Sequence, residues 1–347
     1  MTAKPLVLAF LLAAGLARAE DRMPAYDHIF VIIEENHTFD EIIGNPAAPA
    51  INRLAGQYGL ATEFFAEVHP SEGNYVAMVG GNSFGIHDDD AYWCKPKMQD
   101  ASCPHAYVSD YPDHTRDAPN IARQIDAKGL TWKGYFEDIP MAGSPVDRSK
   151  GPPKALYAAK HNGFANFVSV QQDPRRAEKI VGFDQLDRDI AGDTLPNFAH
   201  IVPNQCDDMH GLSGAGVEEE CESGNQPGLI GRADRAVERI VAKIMATPTW
   251  RGAGNAAIVI TFDEGGSTNR TNHAEGCCGA APDDPTNFGG GWIATVVITN
   301  HGPRGVKDAT PYNHYSLLRS VEQAFGIPNY AGHAAEASAM TPLFAVK

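Results

Sequence analysis

Four short apolar runs, rich in β-branched and aromatic residues, constrain the fold of this chain most strongly. They lie at residues 27–33, 198–202, 256–262 and 293–299. Short continuous apolar runs of this kind are typical of strands that are buried on both faces of a sheet. Between them, apolar residues recur at helical spacing at residues 49–58, 118–128, 231–245 and 315–325. This alternation predicts an α/β fold, with a mostly parallel central sheet and helices on both faces.

Long polar segments separate these elements. They lie at residues 82–119, 141–163, 206–227 and 265–291, and we interpret them as loop insertions on a single domain because no repeat or clear linker divides the chain. Three of the four apolar runs lead directly into polar clusters. Ligands of open α/β sheets bind beyond the carboxyl ends of the strands, so we expect the site at that edge.

The first residues have the pattern of an export signal. Lys4 precedes an apolar run at residues 6–16, and Ala-Arg-Ala at residues 17–19 is a small-x-small cleavage site. The run is shorter than the ~20 apolar residues of a transmembrane helix. We therefore predict a signal peptide at residues 1–19, a catalytic domain at residues 20–347 and a secreted or periplasmic protein without a transmembrane segment. An uncleaved N-terminal anchor is the alternative.

The chain is strongly acidic, with 43 Asp and Glu against 28 Lys and Arg and a net charge of −15. Such a surface repels nucleic acids and anionic membranes at long range, so we expect no nucleic-acid partner. A phosphorylated substrate would be repelled as well, unless a local positive centre captures it. A bound cation provides such a centre without a basic surface.

The six cysteines favour disulfides, because the chain is predicted to be exported. The local pairs are Cys94–Cys103, Cys206–Cys221 and the vicinal Cys277–Cys278. Adjacent cysteines rarely fit relaxed bridge geometry, so the vicinal pair is the doubtful one. The sequence leaves other pairings open.

Two polar clusters contain candidate catalytic groups. Glu-Glu-Asn-His-Thr-Phe-Asp at residues 34–40 follows the first apolar run and offers oxygen and imidazole ligands, although Thr38 or Asp40 alone would explain it as a helix cap. His-Pro-Ser-Glu-Gly-Asn-Tyr at residues 69–75 precedes a helical apolar run. Ser71 would there meet free backbone N–H groups and the positive end of the helix dipole, which suits an oxygen nucleophile attacking phosphorus. The alternative is that Ser71 only caps the helix.

Three later clusters add acids and imidazoles. Asp207, Asp208 and His210 lie in a glycine-rich loop, Asp263 and Glu264 follow the third run along the chain, and His314 precedes the last helix. Burying adjacent acids without a cation is costly. Together the clusters favour a metal site with oxygen and imidazole donors.

Seven motifs carry a resemblance to a known family. They are the motifs at residues 34–40 and 69–75, Gly-Tyr-Phe-Glu-Asp-Ile-Pro at 134–140, Lys-His-Asn at 160–162, Val-Pro-Asn with Asp-Met-His at 202–210, Thr-Phe-Asp-Glu-Gly-Gly at 261–266, and Asn-His-Tyr-Ser-Leu-Leu with Val-Glu-Gln-Ala-Phe-Gly-Ile-Pro at 313–328. In this order they resemble the phosphoesterase family of secreted bacterial acid phosphatases and non-specific phospholipases C, within the alkaline-phosphatase superfamily. The resemblance implies an alkaline-phosphatase-like fold and hydrolysis of phosphoric esters. It looks closest to the small acid phosphatases, including those acting on phosphoinositides.

The resemblance also implies roles for individual residues. The implied metal ligands are Glu35, Asn36, Asp263 and Glu264, with Asp208, His210 and His314 in a second set of ligands or phosphate-binding groups. Ser71 is implied as the nucleophile, and His69 as a hydrogen-bond donor to a phosphate oxygen or as the residue that orients Ser71. His161 and Asn74 are implied as phosphate-binding groups, and His210 and His314 also as candidates for proton transfer. One departure is that His37-Thr38 stands where relatives have Arg-Ser, which removes a positive charge near the site.

We therefore expect a metal-dependent acid phosphatase that hydrolyses a phosphorylated small molecule or lipid head group through a phosphoseryl intermediate. Oxygen ligands suit Ca²⁺, Mg²⁺ or Mn²⁺, whereas imidazoles admit Zn²⁺ or Fe. A phospholipase C is the alternative on the same fold. A sulfatase is disfavoured because its Cys/Ser-x-Pro-x-Arg motif is absent from the sequence. A secreted protein that binds metal or phosphate without turnover is the alternative from another class.

Overall fold

The computed structural model describes residues 22–143, 146–150, 155–266 and 289–346. The predicted signal peptide and the Cys277–Cys278 pair lie outside these ranges. Among the helices in these ranges, none has the length and hydrophobicity needed to span a bilayer.

Strands and helices alternate along the chain. The strands are β1 His28–Glu34, β2 Gly59–Ala61, β3 Phe64–Phe65, β4 Trp132–Phe136, β5 Ile180–Val181, β6 Phe198–Val202, β7 Ala256–Phe262, β8 Thr295–Thr299, β9 Val306–Asp308 and β10 Tyr312–Asn313. The α-helices are α1 Phe39–Ile42, α2 Pro49–Gln57, α3 Glu72–Gly80, α4 Ile121–Ala127, α5 Val168–Gln171, α6 Arg176–Lys179, α7 Phe183–Gly192, α8 Gln226–Met245, α9 Pro248–Arg251 and α10 His314–Ala324. The four apolar runs are thus β1, β6, β7 and β8, and the four predicted helices are α2, α4, α8 and α10.

The central sheet has eight strands in the order β5-β4-β6-β1-β7-β8-β2-β9. β8 runs antiparallel to β7 and β2, and the other neighbouring strands pair in parallel. The helices pack around this sheet, with α2 against α8 and α3 against α10. The predicted α/β class with a mostly parallel sheet is confirmed.

The direction of β8 changes which polar clusters meet. Asn300 follows β8, and its side chain accepts a hydrogen bond of 2.9 Å from the backbone N–H of Ala256, at the start of β7. The polar group after β8 therefore lies at the edge of the sheet opposite the carboxyl end of β7. The adjacent strands β6, β1 and β7 instead bring their carboxyl ends together at one edge.

Two disulfides close polar insertions next to this edge. They join Cys94 to Cys103 and Cys206 to Cys221, which confirms both predicted local pairs. The second disulfide holds the loop that carries Asp208 and His210.

The helix α2 depends on an acid from a neighbouring helix for its N-terminal hydrogen bonds. Asp234 of α8 is buried, and its two carboxylate oxygens accept hydrogen bonds from the backbone N–H groups of Ala50 (2.9 Å) and Ile51 (2.8 Å). The first N–H groups of a helix have no partner within the helix. Asp234 thus joins α2 to α8.

We predict that Asp234→Ala lowers the free energy of unfolding by about 1–3 kcal/mol, because two buried N–H groups lose their acceptor. The measurement is urea denaturation. Glu238→Ala, one turn further along α8, is the control because Glu238 makes an exposed pair with Arg53, and such pairs contribute ~0–1 kcal/mol. Equal losses for both variants would contradict this account.

Candidate active site

The register of β1 and β7 places their terminal acids side by side. Glu34 is paired with Phe262, so the residues that follow, Glu35 and Asp263, lie next to each other. Asn36 has a positive φ of 51°, and its backbone N–H donates to Asp263 Oδ1 at 3.1 Å. The parallel pairing of two buried strands therefore brings the first and sixth motifs into contact.

Ser71 lies at the N-terminus of α3 and points at these acids. Its side chain is 1% exposed and makes no capping hydrogen bond to its own helix. Its Oγ instead donates to Glu35 Oε2 at 3.2 Å and to Glu264 Oε1 at 3.4 Å. The alternative in which Ser71 only caps the helix is wrong.

The capping interpretation of the first motif applies to Thr38 alone. Thr38 is the N-cap residue of α1, and its backbone N–H donates to Glu41 Oε2 at 2.8 Å. Glu35 and Asn36 precede this cap and take no part in it. The motif therefore contains both a helix start and a separate pair of candidate ligands.

Lys160 supplies a positive charge that the sequence analysis did not assign. Its Nζ lies 3.4 Å from Ser71 Oγ, 3.0 Å from Asp89 Oδ2 and 3.5 Å from His210 Nε2. Burial opposes the charge, but Asp89 and Glu35 outweigh it and raise the pKa of Lys160. Lys160 is thus a buried cation beside the candidate nucleophile.

His161 lies between two of the predicted ligands. Its Nε2 is 3.2 Å from Glu35 Oε1 and its Nδ1 is 3.5 Å from Asp208 Oδ2. Burial lowers the pKa of His161 well below its usual value, so the ring is neutral. The ring stacks on Tyr75, whose hydroxyl donates to Glu35 Oε1 at 2.6 Å. Tyr75 was also missed, although its spacing of four residues from Ser71 places both on one face of α3.

Two further histidines contact residues that surround Ser71. His69 Nδ1 lies 2.5 Å from Glu264 Oε2, so His69 and Ser71 share one carboxylate. The Nδ1 of His210 donates to the carbonyl of Gly211, and burial lowers the pKa of His210 to about 4. His210 Nε2 thus faces Lys160 as a neutral nitrogen.

Asn74 and His314 make their contacts with backbone groups and a neighbouring acid. The Asn74 side chain accepts from the N–H groups of Glu67 and Val68 and donates to the carbonyl of Val68. His314 donates from Nε2 to the carbonyl of Phe262 at 3.0 Å, and its backbone N–H donates to Glu67 Oε1. The roles implied for these two residues in phosphate binding and proton transfer stay predictions.

Four acids form what we call the carboxylate cluster: Glu35, Asp208, Asp263 and Glu264. Each is at most 4% exposed. Burial, together with the charges of the other acids, raises the pKa of Glu35, Asp208 and Asp263, to about 8 for Asp263, and burial raises that of Glu264. The charge of Lys160 opposes this rise in all four. The single positive charge of Lys160 cannot balance four buried carboxylates, so balancing their charge requires a further cation.

The donor atoms of the cluster fit a divalent metal ion. Asp263 Oδ2 and Asn36 Oδ1 are buried and have no hydrogen-bond partner within the described ranges. Glu35, His161 and His210 also have donor atoms within 4.8 Å of one another. Carboxylate and amide oxygens with imidazole nitrogens suit a range of divalent cations. The described residues therefore contain a site that can hold a metal ion.

The fold matches that of solved structures in one superfamily. A protein in the alkaline phosphatase superfamily from Vibrio parahaemolyticus aligns with a TM-score of 0.53 and 12% identity, covering 88% of this chain and 68% of that chain. The site at the carboxyl ends of β1 and β7, with buried acids around a serine, lies where this class of α/β fold binds ligands.

Comparison of the sequence with known families assigns the chain to one family. The chain belongs to the Phosphoesterase family, whose model matches residues 45–328. A phosphatidylinositol-3-phosphatase of Mycobacterium tuberculosis is 27% identical over 326 residues, covering 94% of this chain and 85% of that protein. A probable acid phosphatase of Kluyveromyces lactis is 26% identical over 320 residues, covering 91% of this chain and 62% of that protein. An acid phosphatase of Aspergillus fumigatus is 25% identical over 312 residues, covering 88% of this chain and 56% of that protein. The predicted class, a phosphoric ester hydrolase, is confirmed, and the chain spans less than two thirds of these fungal relatives.

We predict that the metal-free protein, measured in the presence of a chelator, becomes less stable as the pH rises. Asp263 has a folded-state pKa of about 8, against ~3.9 in an unfolded chain. The contribution of protonated Asp263 to the free energy of unfolding is therefore complete below about pH 4, and it is lost as the pH rises through 8. Adding a divalent cation at pH 7 to 8 should raise the melting temperature, because bound metal favours the ionised carboxylates.

The measurement is thermal unfolding across this pH range, with and without chelator. Asp263→Asn is the comparison: it should flatten the pH dependence of the chelated protein and reduce the effect of metal. Identical pH profiles for the variant and the wild type would contradict the prediction.

Proposed function

We propose that this protein is a metal-dependent acid phosphatase that hydrolyses phosphate monoesters, phosphoinositides among them, through a phosphoseryl intermediate on Ser71. The observation that carries the proposal is the environment of Ser71 Oγ. This hydroxyl is buried, does not cap its helix, and lies within 3.4 Å of Glu35, Glu264 and Lys160. A serine hydroxyl with acceptors for its proton and an adjacent positive charge has what an oxygen nucleophile needs.

Ser71 Oγ attacks phosphorus and its proton passes to a carboxylate. Glu35 and Glu264 both accept a hydrogen bond from Ser71, so either carboxylate, when ionised, is placed to take the hydroxyl proton. The new Oγ–P bond forms as the bond from phosphorus to the ester oxygen breaks. Water then attacks the phosphoserine, which releases phosphate and returns the hydroxyl to Ser71.

Lys160 offsets the negative charge that develops on the phosphoryl oxygens. Its buried ammonium group is held beside Ser71 by Asp89, so it need not reorganise during the reaction. The neighbouring His210 Nε2 is neutral and accepts a hydrogen bond from Lys160, which helps to hold the ammonium group in place. The departing alcohol takes up the proton that the carboxylate received from Ser71. Phosphoryl transfer needs mainly such positioning and charge stabilisation.

A divalent cation would be held by Glu35, Asn36, Asp263 and Glu264, with Asp208 and His161 adjacent. When bound, it supplies positive charge that favours the Ser71 alkoxide and polarises a phosphoryl oxygen. The neutral ring of His161 and the hydroxyl of Tyr75 orient Glu35 for this role.

Monoesters are the substrate class that we favour. The mycobacterial relative is named a phosphatidylinositol-3-phosphatase, and the two fungal relatives are named a probable acid phosphatase and an acid phosphatase. The two disulfides agree with an oxidising compartment, and we propose that the predicted signal peptide exports the chain.

We expect Ser71→Ala to lower kcat on p-nitrophenyl phosphate by at least about 10³-fold, because the covalent step loses its nucleophile. Ser213→Ala is the matched control, since Ser213 is exposed in the loop beyond His210, and it should leave kcat unchanged. Wild-type activity in Ser71→Ala would refute the mechanism. Orthophosphate released from phosphatidylinositol 3-phosphate, with no head group released from phosphatidylcholine, supports a monoesterase; the reverse result identifies a phospholipase C.

Lys160→Met should lower kcat by about 10²-fold, because the buried positive charge beside the phosphoryl group is lost. Lys133→Met is the control. Lys133 makes a comparable partly buried pair with Asp189, with 2.5 Å between Nζ and Oδ2, on β4 rather than at the Ser71 site. Equal kcat values for the two variants would show that the charge of Lys160 is not used.

A further inference from the structure

Another buried histidine, His114, lies in the loop insertion that precedes α4 and contacts Glu72, the residue that follows Ser71. His114 is 0% exposed, and its Nδ1 lies 3.0 Å from Glu72 Oε1. Its Nε2 lies 3.3 Å from Asp88 Oδ1. The ring stacks on Tyr111, with 5.1 Å between the ring centroids and 14° between the planes. His114 thus joins two acids that lie on separate segments of the chain.

Both of these acids are adjacent to residues of the active site. Glu72 follows Ser71 in the chain, and its backbone N–H donates to Asp89 Oδ1 at 3.2 Å. Asp88 precedes Asp89, whose Oδ2 accepts the hydrogen bond from Lys160 at 3.0 Å. The imidazole of His114 therefore connects the start of α3 to the loop that holds Lys160.

The two carboxylates beside the ring favour its positively charged form. Burial disfavours the charge, but the hydrogen bonds and charges of Asp88 and Glu72 outweigh burial and raise the pKa of His114 to about 10. Asn166 adds a hydrogen bond of 2.6 Å to Glu72 Oε1. The buried acids are thus paired and hydrogen-bonded, and this triad needs no metal ion to balance it.

We propose that His114 is a positioning residue for the reaction: it fixes Asp89 and the first turn of α3 relative to each other, and so aligns Lys160 with Ser71. This inference rests on the proposed function of Ser71 and Lys160. His114 touches neither of them, and it acts through Asp89. Small displacements of a positioned group can cost ~10²-fold in rate.

The test is His114→Gln, which keeps a side-chain donor and removes the charge. We expect kcat on p-nitrophenyl phosphate to fall by about 10- to 100-fold with little change in KM. In the Lys160→Met background the same substitution should cost less than about twofold, because coupled residues are not additive. A full additional loss in that background would overturn the proposed route through Lys160.

A double variant separates positioning from folding. Glu72→Gln combined with His114→Gln removes both charges of one pair, so it should recover melting temperature relative to His114→Gln while kcat stays low. If the double variant recovered both the melting temperature and kcat, the role of His114 would be only structural, and the proposal would be overturned. His105→Gln is the matched control: His105 makes a similar pair with Asp90 in the same insertion, 2.7 Å apart, but its side chain is 56% exposed, and kcat should be retained.

The proposed function of Ser71 and the positioning role of His114 are refuted by different results. Activity in Ser71→Ala would refute the proposed function itself. Loss of activity in Ser71→Ala together with wild-type kcat in folded His114→Gln would overturn only the role of His114.

Discussion

The burial of four carboxyl groups at one edge of the sheet is the constraint on which the rest of the site depends. Each acid of the carboxylate cluster is nearly inaccessible to solvent. Charges removed from water must be paired, or their pKa rises until they are neutral. Lys160 meets part of this need. Within the described ranges, Asp263 Oδ2 and Asn36 Oδ1 have no hydrogen-bond partner, and we propose that a cation bound there meets the remainder. In the proposed mechanism, the same arrangement that costs folding free energy gives Ser71 its proton acceptors and the positive charge that attracts a phosphoryl group.

Close backbone packing holds the parts of this site in register. Gly163 follows the Lys160–His161 segment, and a Cβ at Gly163 would overlap the carbonyl oxygen of Tyr75. Gly73 in α3 is equally restricted, since a Cβ there would lie 2.5 Å from the carbonyl oxygen of Ile86. Interiors are close-packed, so neither neighbour can easily give way. The positions of Lys160 and His161 relative to Ser71 are therefore fixed by main-chain contact as well as by hydrogen bonds.

The sequence predicted the elements that carry long patterns. The strands β1, β6 and β7 were visible as continuous apolar runs between polar segments, and the helix α8 was visible because it is long enough to show the helical spacing of its apolar residues. Strands of two or three residues, such as β2, β5 and β10, carry no such pattern. Nor does an apolar run encode its direction, so the antiparallel β8 and the remote position of Asn300 required the structure.

The site was predictable to the extent that its residues lie at strand ends. Glu35 and Asp263 follow buried strands directly, which is why both were identified. Asp89 lies in a run of three acids that looks like a solvated loop, and Lys160 lies in a glycine- and proline-rich stretch with no periodic signal. Their proximity to Ser71 comes from contacts between segments distant in the chain, which one sequence without the fold does not reveal.

The central claim is that Ser71 becomes covalently phosphorylated. The direct measurement is acid quenching of the enzyme during turnover of a phosphate monoester, followed by peptide mass spectrometry. The account predicts one phosphoryl group on the peptide from the start of α3, localised to Ser71. A phosphoryl group on another residue, or turnover without any phosphorylated enzyme under conditions where the second step is slow, would contradict it.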